Sequence, residues 1–384
     1  MNDNGSLPPR RATRAQAAAA PRAPKSRRKP RRILRIVLSL FAVMIIVLGV
    51  YVGYLILKVQ DNIGKIADDP PTETSYGGGI TDNTDPVPSE ESARKKAVGI
   101  LLMGLDTRAE TGGLNTDVMM VALFNPESKT ATVVSIPRDS DLNLSGYKTQ
   151  KANGFYAGFL RTARVDKKLE GTDAKRYANN QMKEMMEKFL DVPVNYTVTL
   201  DFQGFVDVVD ALGGVNVYVD QNMRYWDKAD GTDINLTKGD HKLNGEDALG
   251  FVRYRKSRDN LTPESSDFQR NDRQDRVLGA ILDKLKSLGS ITKLGGVLDA
   301  IGNNVKSDIP EAQITNMIAT YFGITKKDVR FIALTGEWKS PYVYLDQDKL
   351  KEAKQALQEE LRPEGRTLVA ASETQPSEQA SGNN

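Results

Sequence analysis

Residues 36–57 form an uncharged, almost wholly apolar run of 22 residues, and everything else in the chain must be arranged around it. A helix of that length is about 30 Å long, the thickness of a bilayer's hydrocarbon core. Its flanks are unequal. Residues 1–58 carry twelve Lys and Arg against Asp3 alone, a net +11 that lies almost entirely ahead of the run. By the positive-inside rule the N-terminus is expected in the cytoplasm and everything after Lys58 outside. The run is longer than a signal-peptide core and no small-residue cleavage site follows it, so it reads as an uncleaved signal-anchor. The expected organisation is a disordered basic cytoplasmic tail (1–35), a transmembrane anchor (36–57) and a flexible stalk (58–94) containing Pro70-Pro71 and Gly77-Gly-Gly79. A folded extracellular domain (95–361) and a Ser/Gln/Gly/Asn-rich disordered tail (362–384) follow.

The net charge of +3 for the whole chain leaves −8 for residues 59–384. A nucleic-acid-binding domain usually has the opposite balance, so no nucleic-acid partner is expected. There is no cysteine and a single histidine, His241. Thiol chemistry, disulfides and Cys/His zinc sites are thereby excluded. His241 sits in a turn-like Gly-Asp-His-Lys-Leu-Asn-Gly segment, which predicts an exposed loop residue rather than the base of a triad.

From Lys95 onward, strand and helix patterns alternate, which predicts a layered α/β domain. Residues 97–105 are a continuous apolar run, as in a strand buried on both faces, and the run stops at Asp106. A second such strand covers 116–124 with Asp117 at its start, and a third covers 130–136, ended by Pro137 and followed by Arg138-Asp139. Binding residues are often displayed at strand ends of this kind, and two aspartates with hard oxygen ligands suit Mg²⁺ holding a pyrophosphate. Taken singly, each aspartate fits equally a residue that caps a strand end or turn. A loop then carries Lys148, Lys151, Asn153, Phe155, Tyr156 and Phe159. Helices are predicted over 173–190, 202–212 (ended by Gly213-Gly214), 311–322 and 347–361, and strands over 194–200, 215–219 and 329–334.

Residues 250–274 carry the densest group of candidate binding side chains. The alternation of Phe251, Arg253 and Arg255 against Val252 and Tyr254 predicts a strand with both arginines on one face, about 7 Å apart. A helix capped by Ser266 or Asp267 is predicted to run to about Leu288, with Val277, Leu278, Ile281 and Leu285 facing inward. Traced back, that stripe reaches Gln274, Arg273 and Arg270, near the positive end of the helix dipole. Four guanidinium groups from a strand and a helix make a phosphate clamp, because the planar fork binds phosphate oxygens in pairs. The same arginines fit a structural network with Asp267, Asp272 or Asp275, or a solvated face.

The blocks Leu101-Leu-Met-Gly-Leu-Asp106, Thr116-Asp117-Val-Met-Met120, Ser135-Ile-Pro-Arg-Asp139, Lys151-Ala-Asn153, Val206-Asp-Val-Val-Asp-Ala-Leu-Gly-Gly214, Leu243-Asn-Gly-Glu246, Val252-Arg-Tyr-Arg255 and Arg270-Asn-Asp-Arg-Gln274 occur in this order behind one apolar anchor. Together they resemble the LytR–CpsA–Psr family over roughly residues 98–288. The resemblance implies an extracellular three-layer α-β-α sandwich with a mixed central sheet. It implies a phosphotransferase that takes a glycopolymer from a polyprenyl-pyrophosphate carrier and joins it to peptidoglycan, a class that includes teichoic acid transfer. By the same resemblance Asp106 and Asp117 hold Mg²⁺, and Arg138, Arg253, Arg255 and Arg270 grip the pyrophosphate. Asn115, Lys151, Arg273 and Gln274 are implied as substrate-binding, and Asp106 is one candidate for the base. The sequence departs from the family at Asn115, where many members have arginine, and at Val118, where threonine is common. A binding-only scaffold for lipid pyrophosphate is therefore a second reading, and a transcriptional attenuator a third that the expected topology opposes.

Overall fold

The apolar run after Lys95 becomes the central strand, β1 (Val98–Asp106), and it is buried on both faces. Leu101 and Met103 enter one apolar cluster, while Ile100 and Leu102 pack into others on the opposite side. Such a strand has no polar face, which is why its sequence does not alternate. β2 (Asn115–Asn125) pairs antiparallel with β1 and with β3 (Thr130–Ser135). β5 (Tyr196–Asp201) runs parallel to β1 on its other side, β10 (Val305–Ser307) pairs antiparallel with β5, and β11 (Val329–Ala333) runs parallel to β3. The result, in this computed structural model, is a mixed sheet of order β10-β5-β1-β2-β3-β11. The structure describes residues 92–106, 114–228, 231–257, 264–287, 297 and 304–366.

Helices cover both faces of that sheet. On one side α2 (Phe155–Val165), α3 (Gly171–Leu190) and α8 (Gln347–Leu361) supply Phe155, Met182, Met186 and Leu357 to the cluster that holds Leu101 and Val121. On the other, α6 (Asp267–Ser287) and α7 (Glu311–Tyr321) bring Leu278, Leu282, Met317 and Tyr321 against Met120 and Val133. A separate apolar cluster forms where β6 (Val215–Val219) with β9 (Gly239–Leu243), and β7 (Met223–Trp226) with β8 (Asp233–Leu236), meet α5 (Gly245–Arg253) and α6. α4 (Phe202–Ala211) starts on Asp201, whose carboxylate accepts the Gly204 N–H at 2.8 Å. It ends, as its glycines predict, at Gly213 and Gly214 with φ of 71° and 87°. A side chain at Gly214 would lie 2.7 Å from the Leu243 carbonyl, so both the turn and the close packing require glycine there.

Several expectations are corrected. Residues 250–253 are the end of α5, not a strand. Asn244 caps that helix by accepting the Asp247 N–H at 2.8 Å, and Ala248, Phe251 and Val252 reach one apolar cluster at helical spacing. A five-residue alternation fits either period, and burial on the helical face decided it. Residues 155–165, expected as loop, are helix α2. His241 lies on strand β9, half-buried, with Nε2 3.3 Å from the Thr237 hydroxyl, so it is not a loop residue. The last residues assigned to the stalk begin α1 (Ser92–Lys95), where buried Ala93 donates its N–H to Gln313. The first residues assigned to the C-terminal tail are docked: Arg366 Nε is 2.9 Å from the fully buried Glu360 carboxylate. The apolar run 36–57 and its flanks lie outside the described residues, and among those described no helix is long and apolar enough to cross a membrane.

Candidate active site

The ends of β1, β2 and β3 bring the acidic and basic candidates together. The register of β1 on β2 shifts between Gly104 and Leu105, so that Gly104 faces Val118, Leu105 faces Thr116, and Asp117 is the extra residue of a bulge. A bulge re-aims the side chain it carries. Asp117 Oδ1 accepts a 2.7 Å hydrogen bond from Arg138 Nη1, which lies just beyond β3. Arg138 Nε is 3.9 Å from Asp139 Oδ2, is buried and has no hydrogen-bond partner. Asp139, 5% exposed, pairs through Oδ1 with Lys151 Nζ at 2.9 Å. The Arg138 carbonyl accepts the Asn153 N–H at 2.9 Å, and the Asp139 carbonyl accepts the Val343 N–H at 2.9 Å, so this run of backbone is fixed.

Arg270 reaches the same place from the start of α6. Ser266 and Gln269 form a reciprocal cap, the Ser266 hydroxyl accepting the Gln269 N–H at 3.2 Å and the Gln269 side chain accepting the Ser266 N–H at 2.8 Å. Burial pushes the Arg270 pKa down to about 10, and the guanidinium groups of Arg138 and Arg255 push in the same direction against the pull of Asp117 and Asp139. Burial strips this guanidinium of water and the neighbouring cations further disfavour its charge, and a bound anion would offset both. Arg255 follows the end of α5, is mostly exposed, and lies 3.4 Å from Glu264.

Asp106 ends β1, is 5% exposed, and stands opposite Asn115 in the ladder. Arg253, on the last turn of α5, lies over the Phe202 ring at 4.3 Å. Phe202 directly follows Asp201, the register partner of Leu105, so Arg253 comes to the same sheet end as Asp106. Gln274 is half-buried on α6. Arg273 is a correction. It is fully buried and its guanidinium is bound within the protein: Nε and Nη2 donate to the two Asp220 oxygens at 2.8 and 2.7 Å, and Nη1 donates to the Tyr254 carbonyl at 3.1 Å and Ser265 Oγ at 3.0 Å. It is a structural residue, not part of a substrate clamp.

One member of the site, and one buried acid behind it, were not among the site candidates read from the sequence. Asp139 follows Arg138 directly, and that adjacency was the available signal. Asp275, buried on α6, accepts a 2.6 Å hydrogen bond from Ser135 Oγ at the end of β3. Burial drives its pKa up to about 7, the Ser135 bond opposes this, and the Asp272 charge adds to it. Only the contact between helix and strand reveals that residue. Among the described residues no three acidic or histidine side chains cluster as a ready-made metal site.

A family profile, LytR_cpsA_psr, matches residues 65–359, most of the chain. The chain belongs to the LytR_cpsA_psr family. Within it, the chain is 34% identical over 279 residues to the polyisoprenyl-teichoic acid–peptidoglycan teichoic acid transferase TagT of Bacillus subtilis, covering 70% of this chain and 78% of that one. The fold is similar to the crystal structure of B. subtilis TagV, with a TM-score of 0.55 and 29% identity over 70% of this chain and 98% of that chain. It is also similar to the structure of TagT bound to LIIa-WTA, with a TM-score of 0.52 and 30% identity over 74% and 99% of the two chains. The named relatives are transferases, and as a member of this LytR_cpsA_psr group the chain is an enzyme.

Proposed function

We propose that this enzyme is a membrane-anchored phosphotransferase that moves a glycopolymer from a polyprenyl-pyrophosphate carrier onto peptidoglycan outside the cell. The observation that supports it is the convergence of Arg138, Arg255 and Arg270 beside Asp117 and Asp139. A pyrophosphate would add negative charge to this group of guanidiniums, and the arginine forks would bind its oxygens in pairs. The 22-residue apolar run at 36–57 would hold the domain at the membrane surface, where a polyprenyl chain is found.

Asp106 and Asp117 come from adjacent strands, and Arg138 takes only one oxygen of Asp117. Two carboxylates suit Mg²⁺, which commonly binds through one or two carboxylates and completes its shell with phosphate oxygens and water. When bound there, Mg²⁺ would supply further neutralisation of the pyrophosphate.

The chain's own residues do the rest. Arg138 and Arg270 hold the pyrophosphate oxygens as an acceptor sugar hydroxyl attacks the polymer-side phosphorus in line. The new P–O bond makes the phosphodiester to peptidoglycan, the bond to the bridging oxygen breaks, and polyprenyl phosphate leaves. The hydroxyl proton passes to a carboxylate of the site, Asp106 being the candidate. Asn115, opposite Asp106, offers an amide hydrogen bond where an arginine would offer charge.

The test is a titration of the full chain with a polyprenyl pyrophosphate, with and without Mg²⁺, beside Arg138→Ala and Asp106→Ala. Mg²⁺-dependent binding that Arg138→Ala lowers about 100-fold is expected, with polymer transfer lost in both variants. Wild-type protein that ignores the ligand would sink the proposal, and tight binding without any transfer would leave a carrier-binding scaffold.

A further inference from the structure

The two faces of β5 differ in kind. Tyr196, Val198 and Leu200 enter apolar clusters, and Thr197, Thr199 and Asp201 alternate with them on the opposite face. Thr199 and Asp201 are the register partners of Met103 and Leu105 on β1, which belong to the cluster under α2 and α3. β10 extends this polar face outward, with Lys306 the register partner of Thr199. α3 meets it with a polar stripe of its own. Thr172, Lys175, Arg176 and Asn179 recur three and four residues apart, whereas Ala174, Ala178, Met182 and Met185 enter the main core. Between the two polar surfaces lies a cleft of about 260 Å³.

A helix normally covers a sheet with apolar side chains on both sides, so a gap lined by polar groups from both suits a polar ligand. A polyprenyl chain would leave these groups desolvated and unpaired, which removes the lipid part of the donor as occupant. Charge narrows the choice further. The carboxylates of the wall are committed: Asp201 caps α4, and Asp308 takes Lys183 Nζ at 2.8 Å and the Thr197 N–H. Arg176 pairs with the exposed Asp173 at 3.1 Å, and Lys175 is exposed and forms no ion pair among the described residues. Lys175, Arg176 and Lys306 together bring three cations to the cleft, which favours an anion.

The cleft adjoins the candidate site along the sheet end. Leu105 in its wall directly precedes Asp106, and Asp201 directly precedes Phe202, whose ring lies under Arg253. Neighbouring strands are about 4.8 Å apart, so the floor on β5 and β10 lies roughly 5 to 10 Å from β1, on the side away from β2 and β3. A sugar unit joined to a phosphorus held near Asp106 reaches that far. We infer that the cleft seats the first units of the transferred polymer, their hydroxyls against Thr172, Asn179 and Thr199 and a phosphate or carboxylate against Lys175, Arg176 and Lys306. The inference rests on the function proposed above and adds to it a donor that is anionic close to its carrier.

The experiment measures binding of three probes to the full chain in detergent: polyprenyl pyrophosphate, its disaccharide derivative, and the same disaccharide carrying one phosphate. Wild type should hold the phosphorylated probe about tenfold more tightly than the neutral disaccharide, and the gap should shrink as salt is raised. Lys175→Gln/Lys306→Gln should close the gap while affinity for polyprenyl pyrophosphate itself stays the same. Lys175→Glu, at an exposed position, should also narrow it, and Lys351→Gln, exposed on α8, should match wild type. Equal wild-type affinity for the two glycosylated probes overturns the inference, as does a gap that survives in the double variant. Weaker binding to peptidoglycan sacculi in that variant, with all three probes unaffected, would give the cleft to the acceptor and overturn it too. A carrier-free disaccharide phosphate separates this inference from the function on which it rests. Its binding, lost in the double variant, would support the cleft even if polyprenyl pyrophosphate did not bind and the proposed function fell. Donor binding that ignores the phosphate removes the cleft and leaves the proposed function.

Discussion

Arg270 and Arg273 are one turn apart on the same helix, and the protein treats them in opposite ways. Arg273 is sealed among acceptors. Burial alone would raise the Asp220 carboxyl, but the hydrogen bonds and charge of Arg273 hold it below its ordinary value. That pair neutralises itself, and the remaining guanidinium hydrogens meet Tyr254 and Ser265. Arg270 instead faces Arg138 and Arg255, and its burial, with their charges added, lowers its affinity for a proton. A buried cation sealed by its own carboxylate holds the fold together, whereas a cation grouped with other arginines beside shared carboxylates is placed to take up a further anion. The distinction rests on neighbours, not on residue type.

The largest test of that contrast is on stability. Arg273→Ala strands the Asp220 carboxylate and should cost about 3–5 kcal/mol, read as a lower midpoint in urea unfolding. Next comes Arg270→Ala, which should lower polyprenyl pyrophosphate binding about 100-fold while lowering the urea midpoint by less than Arg273→Ala does. Exchanged outcomes, with Arg270→Ala unfolding the protein and Arg273→Ala only weakening binding, would break the comparison outright.

Asp275 sharpens it from the acidic side. Its pKa rises from the ordinary 3.8 to about 7 because it is buried without a cation of its own. As pH climbs through that window the unfolded chain releases this proton and the folded chain keeps it, so stability falls, and the loss is complete above about pH 7. Asp275→Asn should therefore stabilise the protein by roughly 2 kcal/mol at pH 8 and by almost nothing near pH 4. An amide oxygen can still accept the Ser135 hydroxyl. Thermal unfolding of both proteins across that range decides the matter, and a gain that does not depend on pH would show that Asp275 ionises freely.

Much of this molecule is legible in the order of its residues. β1, β2 and β3 announce themselves by largely apolar runs that end at Asp106, begin near Asp117 and stop at Pro137, because a strand covered on both faces carries few polar residues and no charged one until it emerges. The caps at Asp201, Asn244 and Ser266 are equally local, each a short side chain reaching an amide three residues on. The placing of aspartates and an arginine at strand ends was equally legible, while the antiparallel pairing of β2 and β3 that brings residues 117 and 138 together came from the structure.

Other features needed the third dimension. The stretch holding Arg253 is helical because Phe251 and Val252 find apolar partners on that face, and five alternating residues cannot say which period wins. Trp338 and Lys151 are distant in sequence and meet only through the sheet that β12 (Gly336–Lys339) and β13 (Tyr342–Leu345) form with β4 (Ser140–Asp141). By itself the sequence determined the apolar run at 36–57, the core strands β1 to β3, the Ser266 cap and the roster of charged side chains, because these depend on neighbours within a few residues. Only the tertiary structure decided which arginine is bound by a carboxylate and which stands against other arginines. Electrostatic fate is set by what lies within a few ångströms, and those neighbours come from strands and helices far apart in the chain.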